Sequence, residues 1–345
     1  YQENRDCMKV LVTGNLGFVG NILTKKLLEQ KFEVVGYDAG YYPQGFLNLK
    51  KIEYKQIEKD IRNVSIEDLK DVSAICHLAA LSNDPLGEIN PNLTEDINYK
   101  ATIKLAKLAK EANIEKFIFS SSCSSYGMNE KIVNEESKLS PLTAYAKSKV
   151  NSEKAISNIN DNDFCTTNLR SATAYGLSDS IRLDLVVNNL TCSAFTTNQV
   201  KLLSDGTAWR LLVHVEDMAN AFISVLNAKN SEVNGHAFNV GVNEDNYTVR
   251  EIAQKVEQIV PNSNITYAKE ANKDSRSYKV DFTKIKHQLG FKTEWNLEKA
   301  IKEIYDLLKF KEFTENDFKN EKYFRVAYIK SLIEKGKINN NLFFQ

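Results

Sequence analysis

The feature that most restricts the fold is a coincidence of three signals near the start of the chain. The apolar, β-branched run Lys9-Val10-Leu11-Val12-Thr13 stops at Gly14, and Gly14-Asn15-Leu16-Gly17-Phe18-Val19-Gly20 follows with its glycines at regular spacing. From Phe18 to Gln30 the apolar residues recur with helical period. A strand therefore feeds into a helix across a glycine turn. Such a turn lets the backbone approach a pyrophosphate closely, while the helix N-terminus offers N–H groups and the positive end of its dipole. The next strand pattern, Glu33-Val34-Val35-Gly36-Tyr37-Asp38, closes a normal βαβ interval on an acidic residue. A carboxylate there accepts hydrogen bonds from a ribose 2′-hydroxyl and repels a 2′-phosphate, so NAD rather than NADP is the expected cofactor.

The alternation continues downstream. A third unit reaches Lys59-Asp60-Ile61-Arg62, and a fourth strand is expected over Ala74-Ile75-Cys76-His77-Leu78-Ala79-Ala80, whose small carboxyl-terminal residues let a cofactor pass close to the backbone. Asp60 reads either as a helix cap or as a contact to adenine. His77, inside an apolar run, reads as a packed core histidine. Asn98 is expected to open a helix that runs to Ala112, and Lys116-Phe117-Ile118-Phe119 leads as a buried strand into a serine run, Ser120 to Ser125 interrupted by Cys123. Ser140-Pro141 is placed to start the next helix, serine as cap and proline in the first turn. The strand Cys165–Arg170 follows. Strands and helices alternating in this way predict an α/β chain, a Rossmann-type doubly wound parallel sheet covered on both faces. No low-complexity linker and no internal repeat divides the chain, so a smaller, C-terminal substrate domain must be interleaved with the first.

Tyr145-Ala146-Lys147-Ser148-Lys149 carries the chemistry that this sheet can position. Positions four apart share a helix face, which sets the Lys149 ammonium beside the Tyr145 ring. A phenol titrates near ~10 in water. A neighbouring cation, and the charge of an oxidised nicotinamide, favour the phenolate and make it a usable base. A hydroxyl from the serine run then holds the substrate oxygen.

Composition removes several alternatives. Among 345 residues, 45 basic and 45 acidic side chains cancel, so no broad electrostatic footprint for nucleic acid exists. The cysteines Cys7, Cys76, Cys123, Cys165 and Cys192 are odd in number and lie far apart, which fits reduced thiols in a cytoplasmic protein. The scattered histidines show no metal-ligand spacing, so no metal is expected. No stretch approaches the ~20 apolar residues of a membrane helix, and no membrane association is expected. Residues 1–7 are given no function.

Taken together, these residues resemble the extended short-chain dehydrogenase/reductase family, in particular its nucleotide-sugar epimerases and dehydratases, over roughly residues 8 to 305. The resemblance implies a cofactor loop at Gly14, Gly17, Phe18, Val19 and Gly20, and adenosine contacts at Asp38, Asp60 and Ile61. It implies further cofactor contacts at Leu78, Ala79 and Ala80, and a catalytic set of Ser122, Tyr145 and Lys149, with Asn98 supporting the lysine. Ser82, Asn83, Asp84 and Cys123 would face the substrate. Asn188, Asn189, Arg210 and Arg276 match segments that contact a nucleotide diphosphate, each guanidinium offering a fork to phosphate oxygens. The implied domains are 8–174 plus about 212–241 for NAD and 175–211 plus about 242–310 for the sugar nucleotide. Residues 311–345 form a C-terminal extension, expected to pack as a helix on the body or on a partner. The implied activity is a 4-epimerase of a nucleotide-diphosphate sugar, with a 4-dehydrogenase or 4-ketosugar reductase as the alternative. A 4,6-dehydratase is disfavoured because Cys123-Ser124 stand where those relatives carry Asp-Glu. A non-catalytic NAD-binding protein is disfavoured by the intact catalytic set. Relatives of this kind dimerise through the helices near Asn98 and Tyr145, which implies a homodimer.

Overall fold

The computed structural model describes residues 8–48, 52–272 and 278–345, without the side chains of 269–272; Arg276, with the rest of Asp274-Ser275-Arg276, lies outside the described residues. The strands in chain order are β1 (Lys9–Thr13), β2 (Glu33–Asp38), β3 (Lys55–Glu58), β4 (Ala74–His77) and β5 (Lys116–Ser122). They continue as β6 (Ile132–Val133), β7 (Cys165–Ser171), β8 (Thr173–Tyr175), β9 (Gln199–Ser204) and β10 (Trp209–His214). The last four are β11 (Ala237–Val240), β12 (Asn246–Thr248), β13 (Asn264–Asn272) and β14 (Lys279–Val280). Seven of them form one sheet in the order β11-β7-β5-β4-β1-β2-β3, and every neighbouring pair is parallel. Three small sheets, β12-β10-β8, β13-β9 and β14-β6, stand apart from it.

The period of two along each strand explains the layering. Val10, Val12 and Ile118 share one hydrophobic cluster with Leu23 and Leu27 of helix Phe18–Glu29 and Phe222 of helix Val215–Asn227. Leu11, Phe117 and Phe119 turn to the opposite face, where Leu105, Ala106 and Ala109 of helix Ala101–Glu111 and Ile156 of helix Ala144–Ser157 cover them. Leu105 is fully buried there, and trimming it to alanine costs about 2–5 kcal/mol.

Three expected boundaries move, each for a local reason. β4 ends at His77: Leu78 N still donates to Thr13 O, but the Ala79 N–H turns to the Thr13 hydroxyl and the segment to Ala80 leaves the ladder. Asn98 does not open its helix. The run begins at Pro91 after the Asn90 cap, and Asn98 lies within a π-helical turn, Glu95–Lys100, that precedes Ala101–Glu111. The helix bearing Tyr145 is capped by Thr143, whose hydroxyl accepts from Ala146 N at 3.1 Å, rather than by Ser140. Ser140 N is instead tied to Ser125 O.

The extension packs back onto this body. Leu183 N donates to Tyr323 O, the Tyr41 hydroxyl donates to Leu342 O, and the Phe344 ring stacks on Tyr41 at 5.4 Å.

Candidate active site

Strand order reverses between β4 and β1, so their carboxyl ends diverge and open a crevice of the kind that accepts nucleotides in parallel sheets. A cavity of about 960 Å³ fills this crevice, and the small sheets close its other wall through Leu202, Leu203, Trp209 and Arg210. Gly14 leaves β1 with φ +72°, and a Cβ on it would lie 2.8 Å from Ala79 N. A Cβ on Gly20 would lie 2.1 Å from Gly14 O. Side chains are thus excluded where the loop packs on the strand end, and the helix that follows starts at Phe18 with no side-chain cap on Gly17. Its first-turn N–H groups, at Phe18, Val19 and Gly20, have no intrahelical acceptor. Gly14, Gly17, Phe18, Val19 and Gly20 all line the cavity, so the loop fits a dinucleotide's diphosphate.

Asp38 lines the same cavity at the end of β2, where it accepts from Leu16 N at 3.1 Å and Gly40 N at 2.8 Å. Burial raises its carboxyl pKa, against the lowering effect of those N–H groups and of Arg325. The cap reading of Asp60 holds, and the residue also lies where a bound nucleotide could reach it. It caps the 3₁₀ turn Ile61–Asn63 by accepting from Arg62 N at 2.8 Å, and it lines the cavity beside Ile61. Leu78, Ala79 and Ala80 form the floor. His77 is a core histidine: Thr13 Oγ1 and Thr102 Oγ1 lie 2.6 and 2.7 Å from its ring nitrogens, and burial lowers its pKa to about 3.

Ser122, Tyr145 and Lys149 converge on one part of this cavity. Ser122 ends β5, and its Oγ accepts from both Ser124 N (3.1 Å) and Ser124 Oγ (2.9 Å). With both lone pairs engaged, the Ser122 proton is the group left to act, as a donor. Tyr145 is pushed up to about 12 by burial, while hydrogen bonding from Ser122 and the charge of Arg182 pull the other way. Lys149 is buried, donates to Ser120 O at 2.7 Å, and sits 5.6 Å from the Tyr145 ring centroid. Desolvation lowers it to about 7, so its ammonium is balanced against the neutral amine near neutrality. Without ligand the phenol is therefore a protonated donor. The priming expected from the sequence requires a charged Lys149 acting on a ligand-filled site.

Ser82, Asn83 and Asp84 line the same cavity. Asn83 caps the short helix Asp84–Gly87, and Asp84 accepts from the Thr143 hydroxyl at 2.5 Å. Two residues here were not foreseen. Arg182 forms a fork on Asp184 (3.0 and 2.9 Å) and reaches Ser82 Oγ at 3.3 Å, while Asn83 Nδ2 donates to Asp184 at 3.2 Å. This pair fixes the polar loop; it comes from an irregular stretch with no periodic signal. Tyr42, Tyr278 and Arg325 also line the cavity unforeseen.

Other expectations are corrected. Asn188 does not reach the cavity: it is fully buried, pairing with Gly176 N and O and donating to Arg182 O. Its neighbour Asn189 does line the cavity, with Nδ2 on Leu183 O. Asn98 does not line the cavity, and its hydrogen bonds do not go to Lys149. It grips the backbone of Leu81 in both directions (2.7 and 3.1 Å) and reaches Ser148 Oγ at 3.3 Å, a geometry that the wider π turn permits. Cys123 lines the cavity as expected, but its thiol donates to Arg170 O at 3.0 Å and burial raises its pKa, which fits a packed thiol. Arg210 lines the cavity with Nη1 on Trp209 O.

Residues 10–241 match the model of the NAD dependent epimerase/dehydratase family. A UDP-glucose 4-epimerase from Lactobacillus helveticus is 27% identical over 308 residues, covering 83% of this chain and 92% of that protein. UDP-glucuronic acid decarboxylase 3 from Arabidopsis thaliana is 25% identical over 304 residues, covering 85% of this chain and 87% of that protein. Among solved structures, UDP-glucuronic acid 4-epimerase from Bacillus cereus, in complex with UDP-glucuronic acid and NAD, shares the fold. It aligns with a TM-score of 0.76 at 24% identity, covering 88% of this chain and 99% of that one.

Proposed function

The chain belongs to the NAD-dependent epimerase/dehydratase family, and from that premise we propose that it is a nucleotide-sugar 4-epimerase acting through a transient 4-keto sugar. The observation that carries this reading is the meeting of Ser122, Tyr145 and Lys149 in the same cavity as the glycine loop, with no acid/base pair beside Ser122. Elimination of water needs such a pair. The neighbouring positions hold instead a buried thiol committed to Arg170 O and a hydroxyl committed to Ser122.

Gly14, Gly17 and Gly20, with Asp38, Asp60 and Ile61, would hold NAD, which when bound supplies the acceptor and donor of hydride at the sugar carbon. Tyr145 takes the proton from the sugar 4-hydroxyl and later returns it. Ser122 donates to that oxygen as it becomes a carbonyl. A charged Lys149 stabilises the phenolate. Ser82, Asn83 and Asp84, fixed by Arg182 and Asp184, hold the sugar, while Asn189, Arg210 and Arg276 serve the diphosphate of the substrate. The reading includes a homodimer and a cytoplasmic location; the buried free thiols of Cys76, Cys123, Cys165 and Cys192 support the latter.

The test is to incubate the protein with UDP-glucose or UDP-glucuronate, following the C4 epimer by NMR and reduced nicotinamide by absorbance. An epimer without net reduction is the expected result. Net accumulation of reduced cofactor would replace the reading with a 4-dehydrogenase, and loss of water or carbon dioxide with a lyase. Tyr145→Phe is expected to fold normally and lose about 10²–10⁴ in turnover.

A further inference from the structure

The extension, residues 311–345, lies outside the family match at 10–241, yet two of its residues, Phe324 and Arg325, line the cavity. Arg325 opens helix Arg325–Glu334 and is only 2% exposed. Its Nη2 donates to Ser180 O (3.0 Å) and Ser180 Oγ (2.9 Å), and its guanidinium carbon lies 3.9 Å from the centre of the Tyr42 ring. These contacts hold the group in one orientation but leave Nη1 buried without a hydrogen-bond partner.

A buried guanidinium is costly unless an anion compensates it. Asp184 and Asp38 are the carboxylates that feel its charge, and neither forms an ion pair with it among the described residues. Asp184 is committed to Arg182, and Asp38 accepts from Leu16 N and Gly40 N. Arg182 adds a second cation nearby and lowers the Arg325 pKa further. The wall between the end of β2 and the Arg182 loop thus holds Arg325 without a carboxylate hydrogen-bonded to it, since Asp184 and Asp38 are engaged elsewhere. The far end of the extension closes on the same region: Leu342 O accepts from Tyr41, and the Phe343 ring lies 3.7 Å from the Arg62 guanidinium.

We propose that the C-terminal extension is part of the ligand site, and that the cavity-lining Arg325 guanidinium, whose hydrogen bonding is incomplete, binds a phosphate group of a nucleotide. Planarity and a fixed fork suit a guanidinium to that task. The inference rests on the functional reading that the cavity takes nucleotides. Two sources offer the same chemistry, the dinucleotide and the nucleotide sugar, and the experiment separates them.

Calorimetry on the full chain would measure NAD and UDP separately, for wild type, Arg325→Gln and Arg325→Lys. The expected result is that Arg325→Gln loses about tenfold or more in affinity for one probe, which names the source, and that Arg325→Lys recovers part of it. A loss on both probes would place Arg325 between the two diphosphates and also support the proposal. Affinities for both probes within about twofold of wild type in a folded Arg325→Gln would overturn it. Should Arg325→Gln fail to fold, hydrogen exchange of wild-type helix Arg325–Glu334 decides: slowing by saturating NAD or UDP supports the contact, and unchanged exchange with both refutes it. A wild type that binds neither probe would overturn the functional reading itself, whereas retained binding in Arg325→Gln removes this proposal alone.

Discussion

Replacing Lys149 with methionine is expected to raise stability and lower activity together. Lys149 is 3% exposed, and burial lowers its pKa from 10.5 to about 7. Because the folded-state value lies below the unfolded one, the fold bears the full cost of the cation below about pH 7 and sheds it as pH rises towards 10.5. A fall of that size corresponds to about 5 kcal/mol. Methionine forfeits the bond to Ser120 O, worth about 1 kcal/mol, so Lys149→Met is expected to gain about 2–4 kcal/mol near pH 6. Urea denaturation of the cofactor-free protein at about pH 6 and about pH 10 measures this, and the advantage is expected to shrink at the higher pH. Turnover moves the other way. With Nζ 5.6 Å from the Tyr145 ring centroid and an effective dielectric of about 20, the cation favours a phenolate by about 3 kcal/mol. That is about two pKa units, or about 100-fold in rate at fixed pH. A variant less stable than wild type near pH 6, or an advantage that does not shrink with pH, would refute the burial argument, and unchanged turnover would refute the priming role.

Three further outcomes follow from the same geometry. Asp38→Asn removes the charge that accepts a ribose hydroxyl and repels a phosphate, so the NAD-over-NADP affinity ratio is expected to fall by about tenfold or more in paired titrations; an unchanged ratio would take Asp38 out of cofactor selection. Cys123→Ala is expected to keep turnover within about threefold and to lose about 1–2 kcal/mol in a denaturant melt, because its thiol only packs and donates to Arg170 O; a 100-fold loss of turnover would make it a reacting acid. The helices around Asn98 and Tyr145 expose Lys107, Lys147 and Lys154, which a twofold dimer would bring near their own copies. Light scattering is therefore expected to show the dimer growing with added salt, and a monomer at every ionic strength would remove the homodimer.

Where the sequence carries a period, it was legible. β1 and β2 begin and end where their apolar runs do, and the glycine spacing marked a loop that lines the crevice, because both signals are local. Ser122, Tyr145 and Lys149 line one cavity as expected, because strand end and helix face place them by short-range geometry. The misses share a different cause. Thr143 rather than Ser140 caps its helix, since Ser140 is claimed by Ser125, a contact that no local rule contains. Asn98 lies in a π turn whose extra width serves the distant Leu81 backbone. Arg182 and Arg325 lie in stretches without periodicity and reach the cavity only through tertiary packing, so nothing in their neighbours marked them.

The strand order carries a consequence for biosynthesis. β1 to β5 are complete by Ser122 and β7 adds beside β5, yet the outer edge of β7 is covered only when Ala237–Val240 has been made. Throughout the intervening translation the nascent sheet presents an open row of amides and carbonyls to any other strand. Slower synthesis in a cool culture, or a chaperone that shields that rim, is the condition under which the yield of soluble material is expected to rise.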